Sequence, residues 1–401
     1  MDKPFAKVRI LDLSRMLSAP YSSHLMRLLG AEVVKVEDPD GGDPYRYMTG
    51  DKELAEAGLS AGFMGLNPGK RSLTLDLKRP EARPVFERLI AGADILLENF
   101  RPGAMARLGF GYDAAARINP RLIYCSLSGF GQEGPSSQEP AYDGRVQAMS
   151  GLVDMTGHPD GMPVRAGLPV ADAGSGLMGA FALASALYQR THTGRGQYVD
   201  VAMLDTVLSL MNLRICDYLV SGIAPKRIGN MAPIMNPCSD IFPTADGAIQ
   251  ISANTDAEYA TLMEVIGRPD LIADPRFDEF AKRQANAADL RALIDEALAG
   301  AGAAEWDRRL GAAGISSTPV ASLPQTLADP QVAVRGMVLP LPPVPGLDRT
   351  AMTTNAGFLM AEGGPDIDAP PPRLGADTDA ILAEIGYDDA EIAALRDAGA
   401  I

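Results

Sequence analysis

Along the first 130 residues, apolar positions cluster in short runs that alternate with stretches of helical spacing. Residues 8–13, Val-Arg-Ile-Leu-Asp-Leu, predict a strand, 20–29 a helix, and 31–37, Ala-Glu-Val-Val-Lys-Val-Glu, a second strand. The rhythm continues with a strand over 72–77, a helix over 80–92 and strands over 93–98 and 122–128. Alternation of this kind predicts a mostly parallel sheet wrapped by helices. Between 222 and 237 the pattern breaks into Gly, Pro, Met and Asn, as a linker would, before a strand restarts at 248–252. A second, helix-rich domain is expected over 225–325, ending near the Pro-rich stretch 339–345, and the tail 371–401 reads as a pair of helices.

Length and composition narrow the class. A chain of 401 residues with 46% hydrophobic content suits about two domains, each with its own core. Three cysteines, Cys125, Cys216 and Cys238, are odd in number and far apart, which argues against a disulfide framework and for a reducing cytoplasm. His24, His158 and His192 are not spaced as a ligand set, so no zinc or other metal is expected. The N-terminus lacks an apolar signal core and no uninterrupted apolar stretch of spanning length follows, so a soluble cytoplasmic chain without a membrane partner is expected. A net charge of −15 disfavours nucleic acid and requires any anionic ligand to be held by local Lys and Arg groups. Glu37 stands where a dinucleotide fold places its ribose-binding acid, yet the first turn, Ser14-Arg-Met-Leu-Ser-Ala-Pro20, lacks the Gly-x-Gly-x-x-Gly fingerprint, which argues against an NAD enzyme.

One acid invites attention. In Arg165-Ala-Gly-Leu-Pro-Val-Ala-Asp172-Ala-Gly174-Ser-Gly176 an apolar run delivers a carboxylate into a glycine-rich turn, where missing side chains would let a large ligand approach. The stretch 177–188 predicts a helix with Gly174 and Ser175 as its start, whose first amides and dipole, worth roughly 0.3–1 kcal/mol, would keep Asp172 ionised. A capping or loop acid fits the same local sequence.

Taken together, several short segments resemble the family III coenzyme A transferases, which share their fold with α-methylacyl-CoA racemase. They include Leu29-Gly-Ala-Glu-Val-Val-Lys-Val-Glu37, Asn67-Pro-Gly-Lys-Arg-Ser-Leu-Thr-Leu-Asp76, Glu98-Asn-Phe-Arg-Pro-Gly103, Ala141-Tyr-Asp143, Thr193-Gly-Arg-Gly-Gln197 and Pro372-Arg-Leu-Gly375. In this order and spacing they make a signature running nearly end to end. The resemblance implies an α/β fold: a Rossmann-like parallel-sheet large domain over 1–215 that binds CoA, a smaller α+β domain over 225–325, and a C-terminal return segment, 340–401, packing on the large domain. It also implies an interlocked homodimer.

By the same resemblance Asp172 is the catalytic acid, attacking an acyl-CoA thioester to form a mixed anhydride and then an aspartyl-CoA thioester. No cofactor is implied beyond coenzyme A itself, carried by the acyl-CoA that exchanges with a carboxylic acid. The racemase branch is the alternative; its Gly-His-Asp motif differs from Ala141-Tyr142-Asp143, and a phenol with a pKa of about 10 is a poor base but a sound oxyanion donor. Met16, Leu17, Lys70, Asn99, Phe100 and Arg107 match CoA-contacting positions. Asp38 and Pro140 replace basic residues of the formyl-CoA transferase pattern, and residues 231–240 replace its glycine-run lid, which argues against formate and oxalate. That apolar segment is expected to close over a larger acyl group, or to be a plain linker. A short dicarboxylate of the succinate, mesaconate, malate or itaconate type would need a cation, for which Arg145 and Arg165 are nearest in sequence to Asp172.

Overall fold

The computed structural model describes residues 2–232 and 234–401. The chain forms two compact units: the first combines Met1–Leu152, Ala166–Val220 and Pro330–Ile401, the second Val153–Arg165 and Ser221–Asp329.

Six strands build the first unit: β1 (Arg9–Asp12), β2 (Glu32–Glu37), β3 (Arg71–Thr74), β4 (Ile95–Glu98), β5 (Ile123–Ser128) and β6 (Tyr198–Ala202). All pair in parallel, in the spatial order β3-β2-β1-β4-β5-β6. Successive residues of a strand point to opposite faces. Leu11, Val34, Leu73, Leu96 and Tyr124 therefore enter one core, and Ile10, Val33, Ile95 and Ile123 the other. Both faces are covered by helices, which is why these strands read as continuous apolar runs. The helix Ala82–Ala91 and the C-terminal helices Thr378–Glu384 and Asp389–Asp397 supply Phe86, Ile381 and Leu395 to the first core. Helix α1 (Ser18–Leu28) supplies Ala19 and Met26 to the second, joined by Val146 of α2 (Asp143–Met149) and Leu183 of α3 (Val170–Thr193). The sheet grows from β1 toward β3 and then, on the other side, toward β6. In such open sheets the crevice outside the carboxyl ends of the two strands flanking the reversal, here β1 and β4, is the natural ligand site.

Helix α3 departs from the sequence expectation. The apolar run ahead of Asp172 is not a strand, and the helix begins at Val170 rather than after Gly174 and Ser175. The glycines lie inside the helix because neighbours crowd it. A methyl on Gly176 would stand 2.7 Å from the Ser18 carbonyl oxygen and 2.8 Å from Tyr21, and one on Gly174 would stand 3.1 Å from Leu210. The lost helix propensity, about 1 kcal/mol per glycine, is offset by close packing, of Gly176 on α1 and of Gly174 on the helix Met203–Leu210. By length and composition α3 is also apolar enough to cross a membrane, contrary to expectation; here it covers the second core, with Leu183 and Leu187 buried.

The second unit carries an antiparallel sheet of β7 (Ser239–Pro243), β8 (Ala248–Ser252) and β9 (Ser316–Pro319). Phe242, Ile249, Ile251, Leu262 and Trp306 form its core. Its helix Asp256–Val265 starts with a reciprocal capping box between Thr255 and Glu258. The segment 231–240, expected to close over an acyl group, includes Pro233, which lies outside the described residues.

Candidate active site

The turn after β1 is held from several sides. The Ser14 amide donates to Asp12 Oδ1 at 3.0 Å, and Lys35 Nζ donates to the Ser14 carbonyl at 2.7 Å. Asn99, the residue after β4, spends its whole side chain on Arg15, accepting from the amide at 2.9 Å and donating to the carbonyl at 2.8 Å. Asp43 accepts the Met16 amide at 3.1 Å. Met16 consequently sits at φ +68°, a left-handed conformation costing a side-chain-bearing residue on the order of 1–3 kcal/mol. Strain of that size persists only where surrounding bonds over-determine the backbone. The outcome is a wall of Arg15, Met16, Leu17 and Ser18 facing a cleft of about 400 Å³.

Tyr142 and Asp172 line the same cleft, together with Tyr45, Asn99, Phe100 and Met203 among others. Asp172 occupies the first turn of α3, and the cap comes from another helix. Asp143, at the start of α2, accepts the Ala171 amide at 2.8 Å and the Asp172 amide at 3.4 Å, while Gln147 holds its other oxygen at 2.6 Å. Two carboxylates thus share one helix terminus. Burial, then the Asp143 charge, pushes Asp172 up to about 6, and the Ser18 hydroxyl pulls the other way. The helix amides expected from the sequence to keep this acid ionised are spent on Asp143. Asp172 remains a stronger base than an ordinary carboxylate and is mostly ionised at pH 7.

A second cavity, about 270 Å³, adjoins the cleft and shares Arg15 and Phe100 with it. Leu13, Val36, Leu75 and Leu108 make its walls apolar, and Asp38 pairs with Lys78 at 3.4 Å among its lining residues. Glu37 is locked by Arg46 at 2.8 and 2.7 Å and by Ser72 at 2.7 Å, so it is not free to hold a ribose. The Arg15 guanidinium lies 5.3 Å from the Phe100 ring and makes no ion pair among the described residues. Beneath this wall Glu98 accepts the Phe100 amide at 2.7 Å and the Ser126 hydroxyl, and burial pushes it up to about 7.

The sequence profile of CoA-transferase family III matches residues 5–378. The chain belongs to CoA-transferase family III. Among curated proteins this transferase is 40% identical over 340 residues to an acetyl-CoA:oxalate CoA-transferase of Acetobacter aceti, covering 84% of this chain and 85% of that one. It is 34% identical over 391 residues to a succinate–glutarate CoA-transferase of Agrobacterium fabrum, covering 95% and 96%. Its fold is similar to the crystal structure of a CaiB/BaiF family protein from Brucella suis, with a TM-score of 0.87, 32% identity and coverage of 96% and 100%.

In this family III transferase, Met16, Leu17, Asn99, Phe100, Tyr142 and Asp172 come together in one cleft. Four predicted residues do not. The Lys70 ammonium is fully buried, bonded to Asp12 at 3.0 Å, Ser23 at 2.8 Å and the Pro20 carbonyl at 3.1 Å, so it braces the floor of the β1 turn and does not face the cleft. Arg107 ends the short helix Ala104–Arg107 and is exposed, lining neither cavity. Arg145 is tied to Glu139 and to the Pro140 carbonyl and lies over Phe130. Arg165 is exposed and belongs to the second unit. Sequence reasoning passed over Arg15, Ser18, Tyr45 and Asp143. The first two sat in the turn whose fingerprint was missing, and Asp143 in the segment that singled out Tyr142; Tyr45 had no local signal.

Proposed function

We propose that this transferase moves CoA from an acyl-CoA to a dicarboxylic acid through covalent intermediates on Asp172. The observation that carries the reading is a half-buried carboxylate, pushed up to about 6, facing a cleft at the carboxyl ends of β1 and β4. Asp172 attacks the thioester carbonyl, the C–S bond breaks, and CoA thiolate leaves an acyl-aspartyl anhydride. The thiolate then attacks the Asp172 carbonyl, releasing the first acid and leaving an aspartyl-CoA thioester. The acceptor carboxylate attacks that same carbonyl, and the expelled thiolate takes the new acyl group, restoring Asp172. Overall one thioester is traded for another of similar energy, so neither ATP nor a cofactor beyond CoA is required. Tyr142 donates to the oxyanion forming on the substrate carbonyl. The apolar second cavity suits the adenine of CoA, and Arg15, shared by both cavities, suits its phosphates.

Relatives named for oxalate and for succinate and glutarate support a dicarboxylate acceptor and keep oxalate beside succinate, mesaconate, malate and itaconate. The racemase alternative lacks support, because no histidine lines the cleft among the described residues. A homodimer in a reducing cytoplasm completes the reading: Leu177, Phe181 and Tyr188 lie 54%, 70% and 69% exposed along one stripe of α3, and the three cysteines are free thiols. Mixing the protein with succinyl-CoA and trapping with hydroxylamine or borohydride tests the chemistry. Modification at Asp172, lost in Asp172→Ala together with exchange, is the expected result. Turnover without modification, or α-deuterium incorporation from heavy water without an acceptor, would overturn it.

A further inference from the structure

The exchange proposed above attacks carbonyls of two kinds. The donor's acyl carbonyl is attacked by Asp172 in the first step, and the acceptor's by CoA thiolate in the last. In the middle steps the carbonyl under attack belongs to Asp172 itself, and its oxygen carries the negative charge. That second oxyanion needs donors too. The first turn of α3 would ordinarily provide them, but its amides are occupied: Val170 donates to the Leu168 carbonyl at 2.8 Å, Ala171 and Asp172 to Asp143, and Ala173 to the Pro169 carbonyl at 2.9 Å. With those amides occupied, the side chains that line the cleft become the candidate donors to the Asp172 carbonyl.

Tyr45 meets the requirement. It lines the same cleft as Asp172 and Tyr142, and its hydroxyl has no hydrogen-bond partner among the described residues. The Asp172 charge is felt at the phenol, which burial and then that carboxylate push above its ordinary value. The ring is seated with care. Asp43, the carboxylate that pins Met16, also accepts the Tyr45 amide at 3.0 Å, so one side chain sets both walls. Beneath the ring lies Gly62, where an added methyl would stand 2.5 Å from the hydroxyl oxygen and 2.8 Å from a ring carbon. Gly62 sits within the helix Ala61–Leu66 and has no positive φ, so space for the phenol is the reason for a glycine there.

Resting on the covalent reading, we propose that Tyr45 is a second oxyanion donor, serving with Ser18 the carbonyl of Asp172 while Tyr142 serves the carbonyl of the substrate. The hydroxyl keeps its proton throughout; it donates a hydrogen bond that shortens as charge develops and relaxes when the thiolate or carboxylate departs.

The test is a single-turnover experiment with succinyl-CoA, following the CoA adduct on Asp172 by mass spectrometry in wild type, Tyr45→Phe and Gly62→Ala. Tyr45→Phe should bind acyl-CoA as wild type does but form the adduct about 10- to 100-fold more slowly, below the full effect of a lone oxyanion donor because Ser18 remains. The acid limb of the kcat/KM profile should stay where wild type has it, because the phenol makes no hydrogen bond to the resting carboxylate, whereas a structural defect that displaced Asp172 would move it. Gly62→Ala, which favours its helix but displaces the ring, should fold and reproduce the slower adduct formation. Adduct formation at the wild-type rate in Tyr45→Phe, or a defect confined to acyl-CoA affinity, would remove the role from Tyr45 alone. Absence of any adduct in wild type would instead overturn the covalent reading, and this role with it.

Discussion

Asp172 is asked to be buried and charged at once, and the conflict has measurable consequences. As the proposed nucleophile it must be ionised, so with a value of about 6 the kcat/KM for acyl-CoA should fall tenfold per pH unit below pH 6 and level off above it, as a pH–rate profile would show. The same raised value bears on stability. A carboxyl that binds its proton more tightly folded than unfolded supports the fold at low pH and withdraws that support as pH rises toward 6. Asp172→Asn should therefore raise stability by on the order of 1–2 kcal/mol at pH 7.5, with the gain vanishing near pH 3.5, read from thermal unfolding at the two values. Lys70 is the opposite case. Burial lowers its ammonium to about 8, while Asp12, opposed by its own burial, is held down to about 2 by Lys70 and Lys35; both stay charged at neutral pH. Lys70→Met strands a buried carboxylate and should cost about 3–5 kcal/mol in denaturant unfolding, far more than it changes CoA affinity.

Elements carry the next layer. Helix α3 brings Asp172 to the cleft only because α1 lies close enough to touch its glycine face. Gly176→Ala should improve helix propensity yet force the Ser18 carbonyl away, for a net loss of about 1–3 kcal/mol and a drop in exchange activity, since Ser18 lines the cleft. Thermal unfolding and steady-state rates check the two parts. The glycine pair shows how far local sequence reaches. Gly174 and Gly176 were legible as a place of close approach, but not whether a ligand, a turn or a neighbouring helix approaches. The helix start was misjudged for the same reason: its cap, Asp143, comes from 29 positions upstream of Asp172 and is invisible to any local window.

At the scale of the molecule, the apolar stripe of Leu177, Phe181 and Tyr188 is a surface that a lone chain would leave in water. Sedimentation should give twice the 42.3 kDa chain mass, and charged replacements at Phe181 and Tyr188 should shift it toward the monomer. The alternation of apolar runs and helical spacing determined the parallel sheet, because strands buried on both faces leave a pattern local enough to read. Short motifs in a particular order determined the reaction family and singled out Asp172 and Tyr142 for the proposed chemistry. Tertiary structure alone decided which cations are spent and which are free. Lys70 and Arg145 are paired with acids, Arg15 has no ion pair among the described residues, and nothing in a charge's own neighbourhood along the chain reveals whether an acid will fold against it. It alone also placed Tyr45 over Gly62 within the cleft, since electrostatics and packing act through space between residues that the sequence keeps apart.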